Sequence, residues 1–241
     1  MIVLGSSSEI AQAFVEKALE SGEKFQTLYL VSSHKESAER FAKHIDVKYL
    51  QQAVVIELDL TKKVNYSIFD QVNSDVMFCA TGYLGKNTEE GLYDDANTQK
   101  TIEVNYAKLV PVINYFAQKM ESKRNGTIIA LSSVAGDRGR QSNFIYGSAK
   151  AAFTAYLSGL RNYLYPKKVH VMTVKPGFMD TKMTENLVLN PKLTATPKQA
   201  ADCIYNAYKK QKNVVYVLPV WGLMMLVIKH IPEFVFKKLK L

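Results

Sequence analysis

Short apolar runs alternate with amphipathic, helix-like segments along most of the chain, and this alternation constrains the fold more than any other feature. Parallel strands need a crossover of a dozen or more residues, usually a helix. The alternation therefore predicts a doubly wound parallel α/β sheet of about seven strands. A length of 241 residues fits a single domain. The predicted strands lie at residues 2–4, 27–31, 53–58, 75–80, 127–131, 169–174 and 214–218.

The fifth predicted strand leads into a stretch that carries a serine, a tyrosine and a lysine at informative spacings. Ser133 follows the strand, Tyr146 comes thirteen positions later, and Lys150 lies one helical turn beyond Tyr146 on the same face. A nearby ammonium favours the phenolate, so Lys150 is expected to lower the pKa of Tyr146 toward working pH. The Ser133 hydroxyl can hold a carbonyl oxygen. This group suits carbonyl–alcohol interconversion, although the Tyr–Lys pair alone also describes a solvated helix face.

These three side chains supply no electrons, so a hydride donor must bind elsewhere, and the first loop is a candidate place. Gly5 ends the first strand, three serines follow, and a helix begins at about Glu9. Free N–H groups at a helix N-terminus favour a phosphate. Glu9 and Ala11 stand where a Gly-rich fingerprint has further glycines, so an ordinary βα turn stays open as an alternative.

Residues at three other predicted strand ends and on one helix complete the candidate cofactor site. The second strand ends in Ser32, Ser33, His34 and Lys35 without an acid. An acid there would bind the 2′-hydroxyl of NAD, so its absence favours the 2′-phosphate of NADP, with solvated side chains as the alternative. Asp59 is a candidate adenine contact, and the Thr81-Gly82 turn can approach a cofactor closely. Asn105 lies on a helix six residues before Pro111, where a bend could present its amide to a water or to Lys150.

Taken in order, Asn105, Ser133, Tyr146, Lys150 and Pro176-Gly177 resemble the pattern of the short-chain dehydrogenase/reductase family over essentially the whole chain. The resemblance implies a Rossmann-type sheet and a catalytic tetrad of Asn105, Ser133, Tyr146 and Lys150. In such a tetrad, the lysine also bonds the nicotinamide ribose and the asparagine holds a water that connects the lysine to solvent. NADP is the implied cofactor, with NAD as the alternative, and no metal site is assigned. The implied cofactor-binding residues are Gly5, Ser7, Ser8, Glu9 and Ile10 at the pyrophosphate, Ser32, Ser33 and Lys35 at the 2′-phosphate, Asp59 and Leu60 at the adenine, Ala80, Thr81 and Gly82 at the ribose, Pro176, Gly177, Met179 and Thr181 at the nicotinamide, and Tyr146 with Lys150.

A narrower resemblance connects the chain to the reductases of decaprenylphosphoryl-2-keto-ribose. It is carried by GSSSEIA, CATGYLG, EVNYAKL, LSSVAGDRGRQSNFIYGSAK and LMMLVIKHIPEFVFKKLKL. This resemblance implies a keto-sugar on a polyprenyl phosphate as substrate and a flavin oxidase as partner. The wider family implies a homodimer or homotetramer. Two alternatives stay open: a soluble reductase of another small-molecule ketone, and a non-catalytic nucleotide-binding protein of the same fold.

The single domain, residues 1–241, divides into three predicted parts. Residues 1–181 form the cofactor-binding and catalytic core, residues 182–212 the substrate lid region, and residues 213–241 the last strand and an apolar, basic tail. The tail sets apolar and aromatic residues against lysines. It therefore packs on protein or lies at the surface of an anionic membrane.

The net charge of +9 raises the question of a nucleic-acid partner. Lys and Arg are scattered and form no basic patch interleaved with aromatics, so none is expected. The first strand begins directly after Met1, and no apolar run is long enough to span a bilayer. We therefore expect a cytoplasmic protein with reduced cysteines, with contact at the inner face of the membrane as an alternative.

Overall fold

The computed structural model describes residues 1–240; Leu241, the last residue of the predicted tail, lies outside the described residues. The strands are β1 (Ile2–Leu4), β2 (Leu28–Ser32), β3 (Ala53–Glu57), β4 (Val76–Cys79), β5 (Gly126–Leu131), β6 (Val169–Lys175), β7 (Phe178–Met179), β8 (Thr194–Ala195) and β9 (Val214–Tyr216). All except β7 and β8 form one seven-stranded parallel sheet in the order β3-β2-β1-β4-β5-β6-β9. The predicted doubly wound sheet is confirmed. The order reverses between β1 and β4, and in such sheets ligands bind at the carboxyl ends of the strands near this point.

Helices cover both faces of the sheet. They are α1 (Glu9–Glu20), α2 (Lys35–Tyr49), α3 (Thr88–Leu92), α4 (Asp95–Ile102), α5 (Leu109–Lys123), α6 (Phe144–Leu164), α7 (Pro197–Lys209), α8 (Pro219–His230) and α9 (Glu233–Phe236). Between α4 and α5 the chain widens into a π-helical turn, Glu103–Ala107, so the one helix expected to carry Asn105 is two helices joined at that residue. No helix among residues 1–240 is long and apolar enough to cross a membrane.

Alternation along the strands divides the core into two layers. On β4, Phe78 faces one layer, where it stacks on Phe14 of α1 with ring centroids 4.3 Å apart. Its neighbours Met77 and Cys79 face the other layer, beneath α5 and α6. Strands buried on both faces read as continuous apolar runs, which is why the sequence pattern located them to within one or two residues.

The first half of the predicted lid region differs from the second half in what it packs against. Residues 182–195, which we call the lid segment, run over the carboxyl edge of the sheet, where β7 and β8 pair in a small separate sheet. Helix α7 then packs against α1: Asp202 pairs with Lys17 at 2.8 Å, and Tyr205 donates to Glu23 at 3.0 Å. The apolar face of α7 is buried in the core, so residues 196–212 belong to the body of the domain and not to a lid.

Candidate active site

A cavity of about 770 Å³ opens at the carboxyl ends of the central strands. Leu4, Val31, Ala80, Leu131 and Pro176, each at or just beyond a strand end, line it. The predicted site residues on its wall are Gly5, Ser7, Ser8, Glu9, Ile10, Ser32, Ser33, Asp59, Leu60, Ala80, Thr81, Gly82, Ser133, Tyr146, Lys150, Pro176, Gly177, Met179 and Thr181. Residues from Leu4 to Leu187, far apart in the chain, are therefore brought to one cavity.

Two predicted residues do not line this cavity. The Lys35 side chain is largely exposed at the start of α2 and lies 3.8 Å from Glu39. Asn105 is fully buried behind the cavity wall. His34, which follows the two serines at the end of the second strand, lines the cavity as well.

Ser133 is held at the end of β5 by the turn that follows it. Its backbone is extended, and its Oγ accepts a hydrogen bond from the Ala135 N–H at 3.1 Å, which caps the short turn Val134–Gly136. Ser132, its neighbour, bonds instead to α6: its Oγ donates to the Lys150 carbonyl at 3.0 Å and lies 2.6 Å from Thr154 Oγ1. Both serines thus line the cavity, and Ser132 also fixes the helix that carries Tyr146 and Lys150.

Glycines let α6 approach this turn closely. A Cβ on Gly136 would lie 2.6 Å from the Lys150 carbonyl carbon, and a Cβ on Gly147 would lie 2.9 Å from the Ala135 carbonyl oxygen. Contacts this short do not occur, so any larger residue would push the helix outward. The short turn and the two glycines therefore set how far Tyr146 and Lys150 stand from Ser133.

Burial dominates the electrostatics of the Tyr146–Lys150 pair. It raises the pKa of Tyr146 to about 12, and interaction with the Ser133 hydroxyl acts in the opposite direction. It lowers the pKa of Lys150 to about 8, with a small opposing effect from Cys79. The Lys150 Nζ lies 5.7 Å from the Tyr146 ring centroid and donates to the Leu131 carbonyl at 3.1 Å. Burial thus raises the pKa of Tyr146, and the expected lowering by Lys150 is not found for the protein without ligand.

Asn105 ties the π-helical turn to the loop after β4. Its Nδ2 donates to the carbonyls of Tyr83 at 2.7 Å and Thr101 at 2.8 Å, and its Oδ1 accepts from the Tyr83 N–H at 3.2 Å. Both amide hydrogens are used, so the side chain does not donate to a water or to Lys150. A Cβ on Gly82 would lie 3.3 Å from Asn105 Oδ1 and 3.4 Å from Lys150 Nζ, which places both groups directly behind the Gly82 backbone.

The cavity wall opposite Tyr146 fits a dinucleotide. Gly5 has φ of +80°, and a Cβ there would lie 2.7 Å from the Thr81 N, so β1 and the loop after β4 meet with no side chain between them. Ser8 precedes α1 in an extended conformation, but its side chain does not cap the helix. The first N–H groups of α1 are left for an anionic ligand. Asp59 is held by Thr61, whose N–H and hydroxyl both donate to its Oδ1, at 2.8 and 2.7 Å.

Three cavity residues show features that the sequence did not predict. Glu9, which was predicted at the pyrophosphate, reaches across the cavity rim, where its Oε2 accepts from the Lys182 N–H at 2.9 Å and links α1 to the lid segment. Arg140 and Asn143 line the cavity from the loop before Tyr146. Both lie inside the stretch that the sequence singled out, but nothing in the local pattern distinguishes them from the exposed polar residues beside them.

Comparison with known proteins places the chain among oxidoreductases. The family model described as short chain dehydrogenase matches residues 1–192. An uncharacterized oxidoreductase of Mycobacterium tuberculosis is 32% identical over 148 residues, which are 61% of this chain and 58% of that protein. The 3-oxoacyl-[acyl-carrier-protein] reductase of Aquifex aeolicus is 27% identical over 194 residues, covering 76% of this chain and 75% of that protein.

Solved structures share the fold at low sequence identity. A short chain dehydrogenase from Burkholderia cenocepacia in complex with NADP superposes with a TM-score of 0.81 at 21% identity, covering 98% of this chain and 95% of that one. A short-chain dehydrogenase from Sphingobium yanoikuyae in complex with NADPH gives 0.80 at 17% identity, with 96% of each chain covered.

Proposed function

The chain belongs to the short-chain dehydrogenase family, and we propose that it reduces a ketone to a secondary alcohol with NADPH. One observation carries the proposal: the hydroxyls of Ser133 and Tyr146 and the buried amine of Lys150 share a cavity with the uncapped start of α1. A proton donor and a phosphate site at the two sides of one cavity are what carbonyl reduction by a dinucleotide requires.

Each side chain has a defined task in this reaction. When bound, the dinucleotide supplies the hydride. Ser133 orients the carbonyl oxygen, and Tyr146, whose pKa of about 12 keeps it protonated at neutral pH, donates a proton to that oxygen. Lys150 compensates the phenolate that remains. Asn105 acts indirectly, because its bonds to Tyr83 hold the loop that contains Gly82.

The residues present also support NADPH over NADH. Ser32, Ser33 and His34 line the cavity where β2 ends, and none of them would repel a 2′-phosphate. The complexes of the Burkholderia and Sphingobium proteins with NADP and NADPH support the same choice. The measurement is kcat/KM for each cofactor with the same ketone, and an equal or higher value for NADH would contradict the proposal.

Replacement of Tyr146 by Phe tests the reaction. We expect the Y146F variant to lose at least about 10²-fold in carbonyl reduction, because general acid catalysis contributes roughly that much or more. Its affinity for NADPH should stay within a few-fold, since the ring remains. Tyr93→Phe is the matched control, because that tyrosine is 80% exposed and outside the cavity. More than about a tenth of the activity in the Y146F variant would contradict the assignment, and NADPH binding without reduction of any ketone would favour a non-catalytic protein.

For the substrate, we propose a keto-sugar carried on a polyprenyl phosphate. The support is the set of five stretches that resemble reductases of this class and an apolar, basic surface on α8 and α9 next to the lid. The rival is a soluble reductase of another ketone. An NADPH-consumption screen that includes polyprenyl-phosphate keto-sugars separates the two. Work at the cytoplasmic face of a membrane, a flavin oxidase partner and a homodimeric or homotetrameric state are further parts of this proposal.

A further inference from the structure

Two arginines stand two residues apart in the loop before Tyr146, and their surroundings are opposite. The Arg138 guanidinium donates to the carbonyls of Ile228 at 2.7 Å and Ile231 at 2.6 Å and pairs with Glu233 at 2.9 Å. The Arg140 guanidinium makes no hydrogen bond and no ion pair within residues 1–240, although its Nε is buried. A buried N–H donor without a partner is costly, and it persists where a ligand supplies the missing acceptor.

The acid closest in sequence to Arg140 is already engaged. Asp137 forms a buried ion pair with Lys175 through one carboxylate oxygen and accepts from Tyr216 Oη at 2.7 Å through the other. Burial lowers the pKa of the Arg140 guanidinium, and the charge of Asp137 only partly offsets this. Arginine keeps its charge in proteins, so the group is a cation on the cavity wall whose counter-ion is not supplied by the fold.

The cofactor phosphates do not fit this role, because Arg140 lies on the other side of the cavity. The phosphate-binding positions are at the start of α1 and the end of β2. The loop that carries Arg140 is instead bonded to β6 and β9 through Asp137 and to α8 through Arg138. Asn143, three residues before Tyr146, also lines the cavity, and its buried Oδ1 has no partner among the described residues. Two unsatisfied polar groups therefore flank the proton donor on the substrate side.

We propose that Arg140 binds an anionic group of the ketone substrate, a phosphate ester or a carboxylate, and so determines substrate specificity. Its planar fork of N–H donors matches both groups, and such charge-assisted pairs are among the strong hydrogen bonds of proteins. Asn143 bonds a second polar group of the same substrate. This inference rests on the proposed ketone reduction, and it adds which residue binds the anionic group of the substrate, such as the phosphodiester of the polyprenyl-linked keto-sugar proposed above.

The test uses the NADPH-saturated protein, so that the cofactor's own phosphate sites are filled, and inorganic phosphate and acetate as probes. We expect one of them to raise the melting temperature of the wild-type protein above a sodium chloride control at equal ionic strength. We expect no such rise in the Arg140→Gln variant and a partial rise in Arg140→Lys. Arg40→Gln, an exposed arginine on α2, is the control and should behave as wild type. A response to phosphate alone indicates a phosphate ester, and a response to acetate alone indicates a carboxylate.

An activity arm separates this inference from the proposed function. For ketones that differ only in a phosphate or carboxylate, Arg140→Gln should reduce kcat/KM by about tenfold or more for the charged member and leave the neutral member within about threefold. Equal losses for both, or an unchanged anion-induced stabilisation in Arg140→Gln, would overturn the anion site while leaving the reductase intact. Anion-dependent stabilisation without reduction of any ketone would uphold the site and contradict the proposed function.

Discussion

Lys150 must carry a positive charge for the reaction, but the fold buries its amine away from solvent. Its side chain is 3% exposed, and burial lowers its pKa from the ordinary 10.5 to about 8. At neutral pH the folded protein therefore holds a charged amine at a cost of about 3 kcal/mol relative to the unfolded chain. One hydrogen bond to Leu131 offsets part of it.

This cost predicts that Lys150→Met stabilises the cofactor-free protein while removing activity. At pH 7 the gain in free energy of unfolding should be about 2 kcal/mol, after subtraction of about 1 kcal/mol for the lost hydrogen bond. Between pH 8 and 10.5 the unfolded lysine binds a proton that the folded one does not, so wild-type stability rises with pH and the gap closes. Urea unfolding of both proteins at several pH values measures this difference in the free energy of unfolding.

The control for this prediction is Lys198→Met, an exposed lysine on α7, which should give no pH-dependent difference. A Lys150→Met variant less stable than wild type at pH 7 would show that burial of the charged amine does not destabilise the fold. A difference in stability that stays constant from pH 8 to 10.5 would show the same.

The direction of the pKa shifts of Tyr146 and Lys150 could not be predicted from the sequence. The spacing of Tyr146 and Lys150 predicted that they share a helix face, but the sign of their pKa shifts depends on burial by residues distant in the chain.

At the scale of elements, α1 and the lid segment are joined by one side chain. Glu9 is the first residue of α1 and replaces a glycine of the usual fingerprint, and its carboxylate accepts from the Lys182 main chain. An acid at a helix N-terminus is favoured by the helix dipole. Glu9 therefore leaves less space beside the pyrophosphate than a glycine would. Its carboxylate instead connects the phosphate-binding loop to residues 182–195.

We predict that Glu9→Ala loosens the lid segment. Loss of a partly exposed, charge-assisted bond of about 1 kcal/mol should speed tryptic cleavage at Lys182 and Lys192 several-fold, because local opening becomes easier. Glu9→Gln keeps an oxygen acceptor and should cleave at close to the wild-type rate. Glu16→Ala, on the same helix but directed at Lys48 and His44, is the control. Equal cleavage rates in Glu9→Ala and wild type would mean that the contact does not restrain the segment.

Elements differ in how far the sequence predicts them. The strands were located because a strand that is buried on both faces consists of consecutive apolar residues. The start of α7 was predicted because Thr196 and Gln199 form a capping box with Pro197 at the first turn, and this is the observed geometry. The π-helical turn at Asn105 was not predicted, since it depends on bonds to Tyr83 and Thr101, of which Tyr83 is 22 residues away.

At the scale of the whole molecule, the tail is attached to the catalytic half of the domain. Trp221 of α8 is buried, packs directly over Gly177 and donates from its indole N–H to the Leu193 carbonyl of the lid segment at 3.0 Å. Arg138 holds the end of α8 and stacks on Phe236 of α9, 3.6 Å from the ring centroid. Both anchors join residues more than 25 positions apart, so the sequence could not show whether the tail packs or protrudes.

One side of the tail packs against the domain, and the solvent-exposed side carries apolar and basic residues. Leu223 on α8 is 66% exposed and Phe234 on α9 is 68% exposed, with Leu226 and Val227 exposed between them. Residues 219–241 contain four lysines and a single acid, Glu233, which is paired with Arg138. Within residues 1–240 these lysines form no ion pair, and an apolar patch rimmed by such lysines matches the surface of an anionic bilayer.

We therefore predict reversible binding to anionic vesicles, measured by co-sedimentation at low salt. Deletion of residues 221–241 would be a poor test, because it removes Trp221 and Met225 from the core. Replacing Leu223, Leu226 and Phe234 by Ser should abolish binding and leave NADPH affinity unchanged. Replacing Lys237, Lys238 and Lys240 by Gln should weaken binding by about 1 kcal/mol per lysine and remove most of its salt dependence. Val47→Ser, an exposed apolar residue on α2, is the control. The contrary outcome would be an intact protein that stays in the supernatant with vesicles at low salt. If that protein is also a dimer in analytical ultracentrifugation and the triple Ser variant is a monomer, a second copy of the chain covers this surface. The lipid-linked substrate then loses its main physical support.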